Sequence, residues 1–119
     1  MCGFTGFVSS SAPDVNVLHA MGDTIRHRGP DDEGYFTDDH CAIAHRRLSI
    51  IDLTEGGHQP MVSADGRYVL AYNGEIYNFQ TLRAELESLG RVFNTSSDTE
   101  VLLQGYIQWG AEVTKKLRG

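Results

Sequence analysis

A cysteine at position 2 has a chemical option that no internal cysteine has. Methionine ahead of a small residue is commonly removed by aminopeptidase, and removal here would leave Cys2 with a free α-amine beside its thiol. A thiol of pKa about 8.5 is only a few per cent ionised at neutral pH and needs a base nearby. An α-amine titrating at about 7.7–8.0 is matched to that task, so nucleophile and base would share one residue. The competing reading of Cys2 is a structural or irrelevant cysteine, a small buried hydrophobe.

Three further clusters offer partners for such a nucleophile. Asn73-Gly74 places a side-chain amide donor next to a backbone N–H that glycine leaves sterically open, and two such donors can hold an oxyanion. The same pair is equally a hairpin-turn signal. In His45-Arg46-Arg47-Leu48-Ser49-Ile50-Ile51-Asp52 the two arginines point to opposite faces of a regular strand. One is then expected in solvent and the other in a pocket, where a guanidinium grips a carboxylate with two parallel hydrogen bonds. Asp98 follows Ser96-Ser97 at a helix start and is either a cap or an acceptor for an ammonium group.

A metal is not expected. His40, Cys41 and His45 are close in sequence, but neither a second cysteine nor a paired histidine motif completes a zinc set. Gly3 and Gly6 are too sparse for a phosphate loop, and no dinucleotide fingerprint occurs.

The elements that must position these groups alternate along the chain. A β-prone run, Gly3–Val8, comes first; Asp14 then caps a helix carrying Val17, Leu18, Met21 and Ile25 to about Arg26. Strands are predicted near Gly34–Thr37, Cys41–Arg47 and Arg67–Tyr72, with Thr54–Pro60 as loop. Asn78 caps a second helix that presents Phe79, Leu82, Leu86 and Leu89 on one side and stops at Gly90. Ser97 or Asp98 opens a third, and a short fourth, Ala111–Leu117, has nothing after it to complete its packing.

Composition narrows the function classes. The 119 residues make one domain at most, and 40% apolar residues support a modest core. Sixteen acidic against ten basic residues, with no Lys/Arg run, argue against nucleic acid or a membrane surface as partner. There is no signal-peptide pattern, so the chain is read as cytoplasmic and its two cysteines as reduced.

Taken together, Met1-Cys2-Gly3, Arg26-His27-Arg28-Gly29-Pro30-Asp31, His45-Arg46-Arg47-Leu48-Ser49-Ile50-Ile51-Asp52, Asn73-Gly74-Glu75-Ile76-Tyr77-Asn78 and Ser97-Asp98-Thr99-Glu100 resemble the class II glutamine amidotransferases. These are N-terminal-nucleophile hydrolases, and the branch the motifs look most like is glutamine-hydrolysing asparagine synthetase. The resemblance implies an α+β fold, a four-layer αββα sandwich of mainly antiparallel sheets. It implies that Cys2 is the nucleophile, that Asn73 and Gly74 hold the oxyanion, and that Arg47 binds the glutamine α-carboxylate. Glu75 and Asp98 would bind the α-ammonium, with backbone around Leu48 and Ile50 lining the pocket.

It also implies that residues 1–119 are the N-terminal part of the amidotransferase domain, truncated relative to a family that continues into further strands. A C-terminal synthetase domain then follows, which uses ATP and magnesium to activate aspartate; this segment itself needs no cofactor. Two readings follow: a glutaminase segment serving that partner domain or a different amide acceptor, and a catalytically silent fragment that only binds glutamine. A bare sheet edge would favour the second and predicts a homodimer.

Overall fold

The computed structural model describes residues 1–49 and 54–119. Strands β1 (Gly3–Val8), β2 (Asp32–Thr37) and β3 (Cys41–Arg47) form an antiparallel sheet in the order β1-β3-β2. Helix α1 (Val15–Thr24) lies between β1 and β2 in sequence. It starts where Asp14 accepts the Asn16 N–H at 2.9 Å, which satisfies one of the first-turn donors. Leu18, fully buried, meets Ala42 and Ala44 of β3 with Phe7 and Tyr35 around them. The helix ends two residues before the predicted Arg26, because the chain tightens into a 3-10 turn over Arg26–Arg28.

A second hairpin pairs β4 (Met61–Val62) with β5 (Val69–Leu70). β5 covers only two of the six residues in the predicted strand Arg67–Tyr72, and the reason is visible at Tyr72. Its N–H donates to Gln59 Oε1 at 2.6 Å and its carbonyl contacts His45 Nε2 at 3.2 Å, so side chains replace a strand ladder there. Asn73-Gly74 is therefore not a hairpin turn; it runs irregularly from β5 toward α2 (Phe79–Ser88).

Helices α2 and α3 (Asp98–Trp109) bury Ile76, Leu82, Leu86 and Val101 in a second core, with Phe93, Trp109 and Leu117 against it. Leu89, expected on the buried side of α2, is 52% exposed. Ser97 caps α3, its hydroxyl accepting the Glu100 N–H at 3.2 Å. The Glu100 carboxylate in turn accepts the Asn94 and Thr95 N–H groups, fixing the approach to the helix.

The predicted fourth helix is a 3-10 segment, Gly110–Lys116, and it does find packing. Val113 is buried against Gly105, where a Cβ would crowd it, and Lys116 reaches both the Trp109 ring and Glu85. Asn78 does not cap α2 with its side chain. Instead its amide donates to the Lys116 carbonyl and its oxygen accepts the Arg118 N–H, both at 2.9 Å, while Tyr77 N–H donates to the Arg118 carbonyl. The tail is thus stitched to the residues that follow Glu75.

The architecture is α+β with antiparallel sheets, built on two cores. Among the described residues no helix is long and apolar enough to cross a membrane.

Candidate active site

Most of the sequence-predicted site residues converge on one cavity, lined from the sheet side by Cys2, Arg47 and Leu48 and from the other by Gly74, Glu75 and the start of α3. Cys2 immediately precedes β1, so the β1–β3 pairing of Gly3 with Arg46 sets it near the end of β3. Its sulfur accepts the Leu48 N–H at 3.2 Å and its S–H points to the Leu48 carbonyl at 3.4 Å. From the other side, Arg28 Nε donates to the Cys2 carbonyl at 3.1 Å. The half-buried thiol is thus held by both backbone groups of Leu48, and the Cys2 main chain by Arg28.

Strand alternation separates the two arginines, but not as expected. Neither is in solvent: Arg46 is 5% exposed and Arg47 7%. Arg46 points to the α1 side, where Nε donates to the Gly22 carbonyl and the guanidinium pairs with Asp23 and Glu33 and meets the Tyr35 hydroxyl. The carboxylates that pair with it, Glu33 and Asp23, are 13 and 23 residues away in sequence, beyond what strand periodicity can register. Arg47 points the other way and, among the described residues, makes one hydrogen bond, from Nη1 to the Thr54 carbonyl at 2.6 Å. Gly57 lies directly against it; a Cβ there would run into Arg47 Nη2.

Cys2, Arg47, Leu48, Gly74, Glu75 and Asp98 line one cavity of about 50 Å³. Gly74 packs against Tyr72 on this wall: a Cβ would sit 2.5 Å from the Tyr72 hydroxyl and displace it. Asn73 is half-buried next to Gly74 but is not itself on the wall, and its side chain makes no hydrogen bond among the described residues. Ile50 lies outside the described residues. A groove of about 690 Å³ elsewhere, between Met61–Asp65 and α3, is larger but contains neither cysteine nor Arg47.

Asp98 is the first residue of α3, 7% exposed, and its Oδ2 accepts the Ile76 N–H at 3.0 Å. Burial pushes its carboxyl above the ordinary Asp value; the Ile76 and Thr99 N–H groups pull back, and the nearby Glu75 carboxylate adds to the rise. A buried, destabilised carboxylate next to a second one is a place where a cation would be welcome. Tyr72 is pushed up as well, first by burial and then by the Asp98 and Glu75 charges. His40 and His45 turn to separate carbonyls, those of Ser9 and Tyr72, and burial lowers the pKa of His45, which keeps it neutral.

The cavity also includes Gln59 and Tyr72, to which the sequence offered no guide, and Thr99, which lay in a quoted motif without a role of its own. Arg28 lay within a motif carrying the resemblance, yet nothing in Arg26–Asp31 indicated that its side chain would reach back to Cys2.

A family model described as a glutamine amidotransferase domain matches residues 1–119. The chain belongs to the glutamine amidotransferase domain family.

Relatives of this amidotransferase domain carry the same stretch inside longer chains. Asparagine synthetase [glutamine-hydrolyzing] 1 of Bacillus subtilis (strain 168) is 48% identical over 124 aligned positions, covering 100% of this chain and 20% of its own length. Asparagine synthetase B [glutamine-hydrolyzing] of Escherichia coli (strain K12) is 46% identical over 95 positions, 80% of this chain and 17% of its own. The maize (Zea mays) asparagine synthetase [glutamine-hydrolyzing] is 38% identical over 122 positions, again 100% and 20%. This amidotransferase domain therefore spans about a fifth of the length of the curated relatives it matches.

Proposed function

We propose that this domain hydrolyses glutamine to glutamate and ammonia through a thioester on Cys2. The observation that carries the reading is one cavity in which the Cys2 sulfur, the Arg47 guanidinium and the Glu75 and Asp98 carboxylates converge. One cation and two anions beside a thiol are the complement of an amino-acid zwitterion with an electrophilic side chain.

Removal of Met1, which is 73% exposed, frees the α-amine that takes the thiol proton. The Cys2 thiolate attacks the side-chain amide carbon; the C–S bond forms and the carbonyl electrons move to oxygen, where the Gly74 N–H and the Asn73 amide stabilise them. The α-ammonium protonates the leaving nitrogen, the C–N bond breaks and ammonia departs. Water then attacks the γ-glutamyl thioester and returns glutamate and the thiol. Arg47 binds the α-carboxylate, Glu75 and Asp98 bind the α-ammonium, and Leu48 completes the wall. A cavity of about 50 Å³ has room for water rather than an amino acid, so binding requires side chains such as that of Arg47 to swing outward.

The ammonia serves ATP- and magnesium-dependent amidation of aspartate by a synthetase domain in the parent chain, by likeness to relatives named as asparagine synthetases. The segment itself uses no cofactor and works in the cytoplasm. Residues 1–119 are the N-terminal part of a four-layer αββα domain. Support for a second sheet comes from the face of β1-β3-β2 turned away from α1, where Phe4 and Val8 are 54% and 82% exposed beside Phe36 and Ile43. That same face supports a second reading, in which the chain alone is a silent glutamine-binding fragment that associates with itself.

Intact-mass spectrometry decides between them. After exposure to a glutamine-mimicking electrophile, loss of Met1 and a single adduct absent from Cys2→Ala are expected. No adduct on chain already lacking Met1 would overturn the glutaminase reading in favour of the silent fragment.

A further inference from the structure

The cavity wall is assembled from segments far apart in sequence, and one side chain reaches two of them. Gln59 is 6% exposed. Its Oε1 accepts the Tyr72 N–H at 2.6 Å and its Nε2 donates to Thr99 Oγ1 at 3.2 Å. Tyr72 precedes the Asn73-Gly74 donors and Thr99 follows Asp98, so a single amide spans the oxyanion side and the ammonium side. The Tyr72 carbonyl is held separately by His45, leaving neither backbone group of Tyr72 free to slide. Asp98 has its own second tie, through the Ile76 N–H.

A buried amide satisfied at both ends has one further property that matters. Glutamine offers an acceptor and a donor at fixed separation, so the two segments it bridges are held at a set distance rather than merely pressed together. An aliphatic side chain of equal volume would fill the space without setting that distance.

We propose that Gln59 is a positioning residue, setting the Asn73-Gly74 oxyanion donors against the attack path of Cys2. The inference rests on the glutaminase reading. Gln59 holds a backbone N–H directly before Asn73 but only a side-chain hydroxyl next to Asp98, whose own carboxylate keeps its bond to Ile76, so its loss falls mainly on the oxyanion side and catalysis suffers more than substrate binding.

The test compares Gln59→Met, Thr99→Val and Thr99→Ser in the full chain, reading glutamine kinetics and amide hydrogen exchange. Gln59→Met is expected to lower kcat by about 10- to 100-fold, the scale of a misplaced donor, with KM moving less than about threefold. Exchange at the Tyr72 amide should accelerate by about tenfold while β3 amides hold. Thr99→Val, which removes one of the two bonds, gives the same pattern at smaller size, and Thr99→Ser restores it. Should Gln59→Met not fold, the Thr99 pair carries the test unchanged. Equal losses in kcat and KM, exchange accelerated across the whole chain, or a Thr99→Ser no better than Thr99→Val would each overturn the proposal as a general stability effect. A wild-type chain that turns over no glutamine would sink the glutaminase reading itself, a failure distinct from a wild-type chain that works and a Gln59→Met that works equally well.

Discussion

Arg46 and Arg47 are adjacent on one strand, carry the same group and are both buried, yet their surroundings are opposites. Arg46 is saturated: two carboxylates, a carbonyl and a hydroxyl answer its donors. Among the described residues the Arg47 guanidinium has one carbonyl, a glycine cleared from its path and a cavity shared with a thiol and two acids. Burial alone therefore does not separate a structural charge from a binding one. The informative feature is what the guanidinium faces, carboxylates already in place around Arg46 or, for Arg47, a cavity that a ligand carboxylate could enter.

The sharpest way to break this contrast is to remove each guanidinium and ask which observable moves. Arg47→Ala is expected to raise the glutamine KM by about 100-fold, as for one partner of a desolvated charge pair, with kcat nearly unchanged. Steady-state kinetics at saturating glutamine would expose the opposite pattern. Arg46→Met should instead cost about 2–3 kcal/mol of stability, since it loses several hydrogen bonds but leaves Asp23 and Glu33, 66% and 53% exposed, free to hydrate. Urea unfolding measures that cost, and a KM changed as much as in Arg47→Ala would erase the distinction.

A gentler perturbation leaves both charges in place. Gly57→Ala puts a methyl where the Arg47 Nη2 now lies, so the guanidinium must move while the fold absorbs the change at the end of a flexible side chain. KM should rise by about tenfold with little loss of thermal stability. The cavity's acid supplies a pH signature. Since the Asp98 carboxyl is raised above its ordinary 3.8, its charge and its hold on an ammonium are lost at a higher pH than an ordinary aspartate would allow. The glutamine KM should climb on acidification through that raised value, and Asp98→Asn should flatten the climb. The smallest effect concerns His45, whose pKa is lowered below 6.5 by burial. The unfolded chain then binds a proton that the folded one refuses, so stability declines as pH falls below about 6.5. His45→Gln should flatten that decline in melts taken from neutral to acid pH.

The same pair marks how far the sequence could be read. Strand periodicity told that the arginines diverge, and local signals placed β1, β3, Asp14, Gly90 and Ser97 correctly, since each depends on near neighbours. It could not tell that Asp23 and Glu33 would bury Arg46, nor that Gln59 and His45 would take the backbone groups of Tyr72 and cut the predicted strand to Val69–Leu70. Asn78 shows the same limit: as a residue before a helix it reads as a cap, and only the tail, almost forty positions on, diverts its side chain. The cavity's composition was legible as chemistry, through Cys2, Arg47, Gly74, Glu75 and Asp98. The residues that brace it were not, because their partners lie in other segments.

The stitched tail has a practical corollary. Gly119 abuts the Glu75 carbonyl, and Glu75 and Cys2 share a cavity, so Gly119 lies close to a residue of the cavity wall. A tag ahead of Cys2 would block the amine, and a bulky group attached at Gly119 would crowd the rim. A handle belongs instead in the turn between β4 and β5, at Gly66, whose surroundings within 4 Å are open.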